Sequence, residues 1–365
     1  MAVAFYISGH GFGHASREVE VINALAALGV GPIVLRTSVA PDFLARTVRA
    51  EYVLEEGPCD AGILQATSLS HDDPGTVSAA LAFDARYRDL LDGEPRRLSR
   101  YGIRMVVGDV PPLAFEVAAR LGVPGVAIGN FTWDWIYETH PGFLPVGQQA
   151  LDRIRDGYRK ATLALALPFA TGFEVFARVE PLPLIARRAT QRREDTRRHF
   201  GLPAEGRVAL LSFGGYGLPA LDLSTVDCRD TWTIVTTDRV STDRLTAAPH
   251  VRRIVERAFL GSEFRYEDLV AAVDVVITKP GYGIMAECAS TGTAMLYTSR
   301  GVFREYDVLV DALQQIARAR FISQADLFAG RWQEPLERLL AQPAPPRVLA
   351  TNGAEVAAAR LAAML

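Results

Sequence analysis

Val3-Ala4-Phe5-Tyr6-Ile7, followed by Ser8-Gly9-His10-Gly11-Phe12-Gly13-His14-Ala15-Ser16-Arg17, is the stretch that decides the fold. A short apolar run ends in a loop with three glycines and two of the six histidines of the chain. The loop feeds a helical pattern with Val21, Ile22, Leu25 and Leu28 at helical spacing, stopped at Gly29. A strand–loop–helix unit puts its loop at the carboxyl edge of a parallel sheet, where open α/β sheets bind ligands. Glycines there let the backbone come close to a ligand, and histidines titrate near neutral pH. This is not a dinucleotide fingerprint, because no acidic residue ends a second strand at the ribose position. It is not a P-loop either, because no Gly-Lys-Ser/Thr follows.

Outward from this unit the alternation continues. Ile33-Val34-Leu35 reads as a strand, and Met105-Val106-Val107-Gly108-Asp109 as another that ends in an acid. A helix with Leu113, Val117 and Leu121 follows and stops at Gly122, then a strand Val126-Ala127-Ile128 ends at Gly129-Asn130. Alternating β and α units predict a parallel sheet covered by helices. Between Asp60 and Arg100 the pattern is weak, and His71-Asp72-Asp73-Pro74-Gly75 reads as a turn. Glu180 to Leu184 reads as a linker, and the Arg-rich segment to His199 as a solvated helix. The alternation then restarts with Val208 to Phe213, Thr233 to Val235, Val275 to Thr278 and Met295 to Tyr297, and closes with a helix from Glu355 to Met364.

Composition narrows the function. At 365 residues and 49% apolar the chain suits two full-sized domains. A net charge of -3 gives no reason to expect nucleic acid as a partner. Lys160 and Lys279 are the only lysines among 39 basic residues, which makes a lysine in a loop at the sheet edge worth noting. Cys59, Cys228 and Cys288 show no metal-ligand spacing and suit a reducing, cytoplasmic setting. No signal peptide is expected. Ala161 to Ala170 is too short to cross a bilayer, and peripheral membrane contact is left open.

A second constellation lies at Thr278-Lys279-Pro280-Gly281-Tyr282-Gly283-Ile284-Met285-Ala286-Glu287. A strand ends, a tight turn follows, and a helix begins near Gly283. Free amides and the positive end of the helix dipole suit a phosphate there. Glu287, one turn further, can accept hydrogen bonds from a ribose diol. A third loop carries Arg300, Arg304, Glu305 and Asp307, and its arginines can neutralise phosphates. Gly214-Gly215 add a flexible loop on the same edge. Together these loops predict a nucleoside-diphosphate site.

These residues resemble the GT-B glycosyltransferases, in particular the N-acetylglucosaminyltransferase that makes lipid II. They resemble more closely the N-terminal, glycosyltransferase-like region of plant L-arabinokinase and its stand-alone bacterial relatives. The marks are Gly9 to Ala15 with Arg17, Asn130-Phe131-Thr132-Trp133-Asp134-Trp135-Ile136-Tyr137, Phe213-Gly214-Gly215, Gly281-Tyr282-Gly283 with Glu287, and Asn352-Gly353-Ala354-Glu355. The resemblance implies an α/β GT-B fold, two Rossmann-like domains with parallel sheets facing across a cleft. Residues 1–180 would form the acceptor domain, 181–350 the sugar-nucleotide donor domain, and 351–365 a helix crossing back. The sugar-kinase domain of L-arabinokinase has no counterpart, so arabinose phosphorylation is not expected.

The expectation is a metal-independent, inverting hexosyl- or pentosyltransferase that moves a sugar from a UDP-sugar to a small acceptor, with no cofactor. His14 matches the base position, Asp109 orients it, and His10 is the reserve base or an acceptor or phosphate contact; which histidine is the base stays open. Gly11, Gly13, Arg17, Asn130, Trp133 and Asp134 are assigned to the acceptor. Gly214, Gly215, Lys279, Gly281, Tyr282, Gly283, Glu287, Arg300, Arg304 and Glu305 are assigned to the donor, with Phe264 and Tyr266 shaping its pocket. A sugar-nucleotide epimerase and a non-catalytic sugar-nucleotide binder share the architecture; acceptor-dependent release of nucleotide separates all three.

Overall fold

In the computed structural model, residues 1–214, 217–218, 220–237, 248–259, 261–301 and 303–365 are described. The first half contributes β1 (Ala2–Ile7), β2 (Ile33–Thr37), β3 (Tyr52–Glu56), an antiparallel ribbon of β4 (Gln65–Thr67) and β5 (Ser70–His71), and then β6 (Ile103–Asp109), β7 (Gly125–Gly129), β8 (Leu163–Ala166) and β9 (Val179–Pro181). All but the ribbon form one parallel sheet in the order β3-β2-β1-β6-β7-β8-β9. The second half contributes β10 (Arg207–Ser212), β11 (Trp232–Thr237), β12 (Val251–Ile254), β13 (Val275–Thr278), β14 (Ala294–Tyr297) and β15 (Ala319–Phe321). They form a second parallel sheet, β12-β11-β10-β13-β14-β15.

In each sheet the strand order reverses once, between β1 and β6 in the first and between β10 and β13 in the second. Loops leaving such neighbours turn to opposite faces and open a crevice between them. The loops at Ser8 and Asp109 therefore flank one crevice, and those at Phe213 and Thr278 flank the other. All six residues of β1 are buried, the continuous apolar pattern of a strand covered on both faces. One apolar cluster runs from Val3 and Phe5 through Val208 and Leu210 to Ala357 and Leu361, so both halves share a core.

The weak region between Asp60 and Arg100 holds the ribbon and two helices, Asp73–Ala85 and Tyr87–Leu98. The expected turn at His71–Gly75 is a helix start: the Asp72 carboxylate accepts from the Gly75 amide at 2.9 Å, an N-cap. The second helix buries Tyr87, Leu91 and Leu98 in the core, with polar contacts beside them. Its buried Glu94 accepts from Arg36 Nε at 2.9 Å and from the Tyr6 hydroxyl at 2.5 Å. Gly93 and Pro95 inside the helix break the pattern in the sequence and hide its spacing. The Arg-rich segment yields only the short helix Arg193–His199, and Arg197 in it is buried against the Ala272 carbonyl and Asp274.

The C-terminal helix Gly353–Ala362 packs on the first helix, Gly13–Ala27, through Ala354, Ala357, Ala358 and Leu361. Small residues let the two axes approach. At Gly353 a Cβ would stand 2.3 Å from the Pro183 carbonyl oxygen, so glycine is required. Going the other way, the ribbon of the first half reaches into the second. Ser68 donates to the Phe213 carbonyl at 2.8 Å, and Leu69 is buried in the second half's core beside Leu211 and Phe213. Among the described residues no helix is long and apolar enough to cross a membrane.

Leu69→Ala should lower the stability of the protein by about 2–3 kcal/mol, because a buried leucine side chain is replaced by a cavity between two packed units. Urea denaturation measures this; an unchanged midpoint would mean that the ribbon tip does not bear on stability.

Candidate active site

The crevices of the two sheets open into one cleft of about 1180 Å³. It is lined from the first half by His10, Gly11, Phe12, Gly13, His14, Arg17, Asp60 and Asn130. From the second half come Phe213, Gly214, Phe264, Tyr266, Lys279, Gly281, Tyr282, Gly283, Glu287, Arg300 and Glu305. Gly215 and Tyr216 of the β10 loop, and Val302 of the β14 loop, lie outside the described residues. The helix Gly13–Ala27 and the helix Tyr282–Thr291 point their N-termini into this space, and a Cβ on Gly283 would stand 4.0 Å from the Gly13 Cα. Gly11, Gly13 and Gly281 leave open space where a side chain would be. Two helix N-termini with bare amides make the centre of the cleft attractive to an anion.

On the first half, His14 and Arg17 sit one turn apart on their helix, and Asp109 ends β6 beside them. His14 Nδ1 lies 2.9 Å from Asp109 Oδ1. Arg17 grips the same carboxylate with Nε at 2.6 Å and Nη2 at 2.6 Å, and donates Nη1 to Asn130 Oδ1 at 2.7 Å. Burial pushes the Asp109 carboxyl up, but the Arg17 guanidinium and the His14 ring outweigh it and hold it below the usual aspartate range. Arg17 Nη2 also lies 3.1 Å from His14 Nδ1, but the Asp109 carboxylate is nearer to that nitrogen and sets the tautomer. The carboxylate only accepts, so Nδ1 carries the proton and Nε2 keeps a free lone pair.

His10 is set differently. The Ile63 amide donates to its Nδ1 at 3.3 Å, so its proton is on Nε2. Burial, and then the neighbouring His14, Arg300, His71 and Lys279, hold its pKa well below the ordinary histidine value. Gly62, at φ +65°, makes this packing possible; a Cβ there would stand 2.9 Å from that of His10. The structure thus gives one histidine with an available lone pair and one neutral N–H donor.

On the second half, Glu287 lies buried one turn inside its helix. Its Oε1 accepts from Arg187 Nε at 2.6 Å, while Oε2 is buried with no partner. Burial raises the Glu287 carboxyl despite Arg187. Arg187 comes from the linker, lies over the Tyr266 ring at 5.2 Å, and was not singled out from sequence. Asp60 was missed too. It accepts from Trp133 Nε1 at 2.8 Å, and burial raises its pKa. Both lie in segments without periodicity, where only the fold reveals their partners.

Several assigned residues do something other than expected. Trp133 is buried and its indole is spent on Asp60, so it backs His10 and His14 with ring centroids at 5.6 and 6.1 Å instead of facing an acceptor. Asp134 pairs with Arg155 at 3.3 Å and is not part of the cleft wall. Arg17 is engaged by Asp109 and Asn130 and covers the Tyr282 ring at 5.6 Å. Arg304 leaves the donor side altogether: it binds the Trp135 carbonyl and Glu138 and covers the Trp135 ring at 4.3 Å. Glu305 bridges the halves, accepting from Asn130 Nδ2 at 2.7 Å and pairing with Arg300 at 3.1 Å. Among the described residues no group of three or more His, Cys, Asp or Glu is placed to hold a metal ion.

No protein-family model matches the chain. L-arabinokinase from Arabidopsis thaliana is 27% identical over 362 residues, which is 98% of this chain. The chain spans 34% of that protein's length. Among solved structures, the glycotransferase of kitacinnamycin superposes with a TM-score of 0.66 at 17% identity, covering 100% of this chain and 99% of that one. MurG of Acinetobacter baumannii gives 0.54 at 13% identity, covering 100% and 99%. The chain has the GT-B fold of these glycosyltransferases and is related in sequence to a region of L-arabinokinase.

Asp109→Asn should cost about 3–5 kcal/mol at pH 7, because it removes one partner of a buried ion pair. The folded pKa of Asp109 is depressed, so its contribution is present above the unfolded value of about 3.9 and is lost as pH falls through the folded one. The gap between variant and native protein should therefore shrink at pH 3. Urea denaturation at the two pH values checks this; an equal gap at both would mean that the charge is not what stabilises.

Proposed function

We propose that this chain is a metal-independent, inverting glycosyltransferase that moves a sugar from a nucleoside diphosphate sugar, a UDP-sugar, to a small acceptor in the cytoplasm. The observation that supports it best is the pairing across one cleft of His14, oriented by Asp109, with a helix N-terminus that carries the half-free Glu287 carboxylate. In this reading residues 1–180 take the acceptor and 181–350 the donor, with 351–365 returning to the first half. Glu287 Oε2 accepts from the ribose diol, and Phe264 and Tyr266 border the base.

The chemistry follows from these placements. The acceptor hydroxyl attacks the anomeric carbon from the side opposite the diphosphate, the bond from that carbon to the leaving oxygen breaks, and the hydroxyl proton passes to His14 Nε2. Charge gathers on the diphosphate. In this reading the amides at Gly281–Gly283, Lys279, Arg300 and the Nε2–H of His10, which line the same cleft, stabilise it, which is the work a metal ion does elsewhere. Arg17, Asp109 and Asn130 position the base.

His14→Ala should cut turnover by about a hundred- to ten-thousandfold and leave nucleotide affinity nearly unchanged. His10→Ala, which removes a donor and not a base, should cost less. Steady-state kinetics with an acceptor found by screening decides between them; turnover retained in His14→Ala and lost in His10→Ala would exchange their roles. Glu287→Gln should raise the nucleotide dissociation constant about ten- to a hundredfold, read by calorimetry. Activity lost to a chelator and restored by magnesium or manganese would overturn the metal-independent reading.

A further inference from the structure

Lys279 is an unusual lysine. The other one, Lys160, pairs with Glu116 in the ordinary way. Lys279 is partly buried at the meeting of the two halves, just after β13. Its amine donates to the neutral Gln65 side-chain oxygen of the ribbon at 3.2 Å, and among the described residues no carboxylate pairs with it. Arg300 faces it from the loop after β14, partnered by Glu305, which is shared with Asn130. His10 faces the same space from the loop after β1, and His71 from the ribbon. Among the described residues, the groups named around this amine are therefore nitrogen groups and one amide, with a single acid already committed to two other partners.

Such a setting favours an uncharged amine. Burial first, and Arg300 second, bring the Lys279 pKa down to about 7. A dianion placed between the two helix N-termini would reverse both influences, because it neutralises Arg300 and rewards a charged ammonium. We propose that Lys279 is an anion-responsive contact: it donates to Gln65 across the cleft, and on arrival of a nucleoside diphosphate it takes one proton from solvent and turns to the phosphates. This rests on the reading of the cleft as a nucleoside-diphosphate site and adds to it a proton that travels with the ligand. No covalent bond changes; the amine gains the proton on binding and returns it on release. Above pH 7, affinity should fall by about tenfold for each further pH unit until the bound-state value is reached.

Calorimetry on the full chain tests this, with UDP and, separately, inorganic pyrophosphate titrated in two buffers of different ionisation enthalpy. At pH 8 the native protein should take up about one proton per ligand, and at pH 6 only a small fraction. At pH 8 the phosphates of UDP are already ionised and contribute none, so the proton count is read with UDP; pyrophosphate still holds its last proton there and is read for affinity alone. Lys279→Arg, with a permanently charged group, should bind with no uptake; Lys279→Met should bind more weakly, also with none. A purely structural lysine would leave the proton count unchanged in both variants. Binding by the native protein without uptake at pH 8 overturns the proposal and leaves the reading of the cleft standing. Uptake that persists in Lys279→Arg or Lys279→Met moves the proton to His10 or His71 and also overturns it. If neither probe binds at millimolar concentration, the reading of the cleft falls and the proposal falls with it.

Discussion

Burying the Arg17 guanidinium is costly unless its donors find acceptors, and the chain meets that condition with residues from separate loops. Asp109 at the end of β6 takes two of them and Asn130 after β7 takes a third. Asn130 in turn donates to Glu305 of the second half, which holds Arg300. Removing any member would leave a buried charge or amide unpaired, and such losses are larger than the net worth of the bonds themselves. The network therefore does more than stabilise. It fixes the helix that carries His14 against β6, and it ties that helix's register to the position of the second sheet.

Electrostatics at the cleft centre follow from the same arrangement. Two sheets that meet edge to edge bring two helix N-termini together, and the loops beside them add His10, Lys279 and Arg300. Carboxylates near this centre are committed: Asp109 to Arg17 and His14, Glu305 to Arg300 and Asn130. What remains is a region short of negative charge. Glu287, off to one side with a bare oxygen, suits a hydroxyl-bearing part of a ligand, while the centre suits a phosphate.

Strands were legible wherever a buried apolar run stood out, which covers β1, β2, β6, β7, β10, β11, β13 and β14; glycine-rich loops after β1, β10 and β13 then marked the cleft, with His10, His14, Lys279 and Glu287 in or just beyond them. The helix Tyr87–Leu98 was hidden because Gly93 and Pro95 interrupt its pattern, and the edge strands β3, β9, β12 and β15 because charged residues such as Glu55, Glu180, Arg252 and Arg320 break their apolar runs. At the cleft, residue type and loop position identified many of its lining residues but not how their hydrogen bonds are spent. Arg17, Trp133 and Arg304 carry the right chemistry for a ligand, yet each is engaged by protein groups that the linear sequence places far away. Arg187 shows the converse, since nothing in a linker marks the residue that will neutralise Glu287.

The two chain crossings between the halves are bonded to each other. Leu184 donates its amide to the Ala350 carbonyl at 3.0 Å, Gly353 donates to the Leu184 carbonyl at 2.9 Å, and Ile185 bridges to Asn352 in antiparallel fashion. A single tether would let one half swivel freely about the other. Two tethers side by side act as a hinge pin and leave mainly one rotation, about the line they define. Along that rotation the atoms farthest from the pin move most. The cleft would then open like a book, with the crossings as its spine.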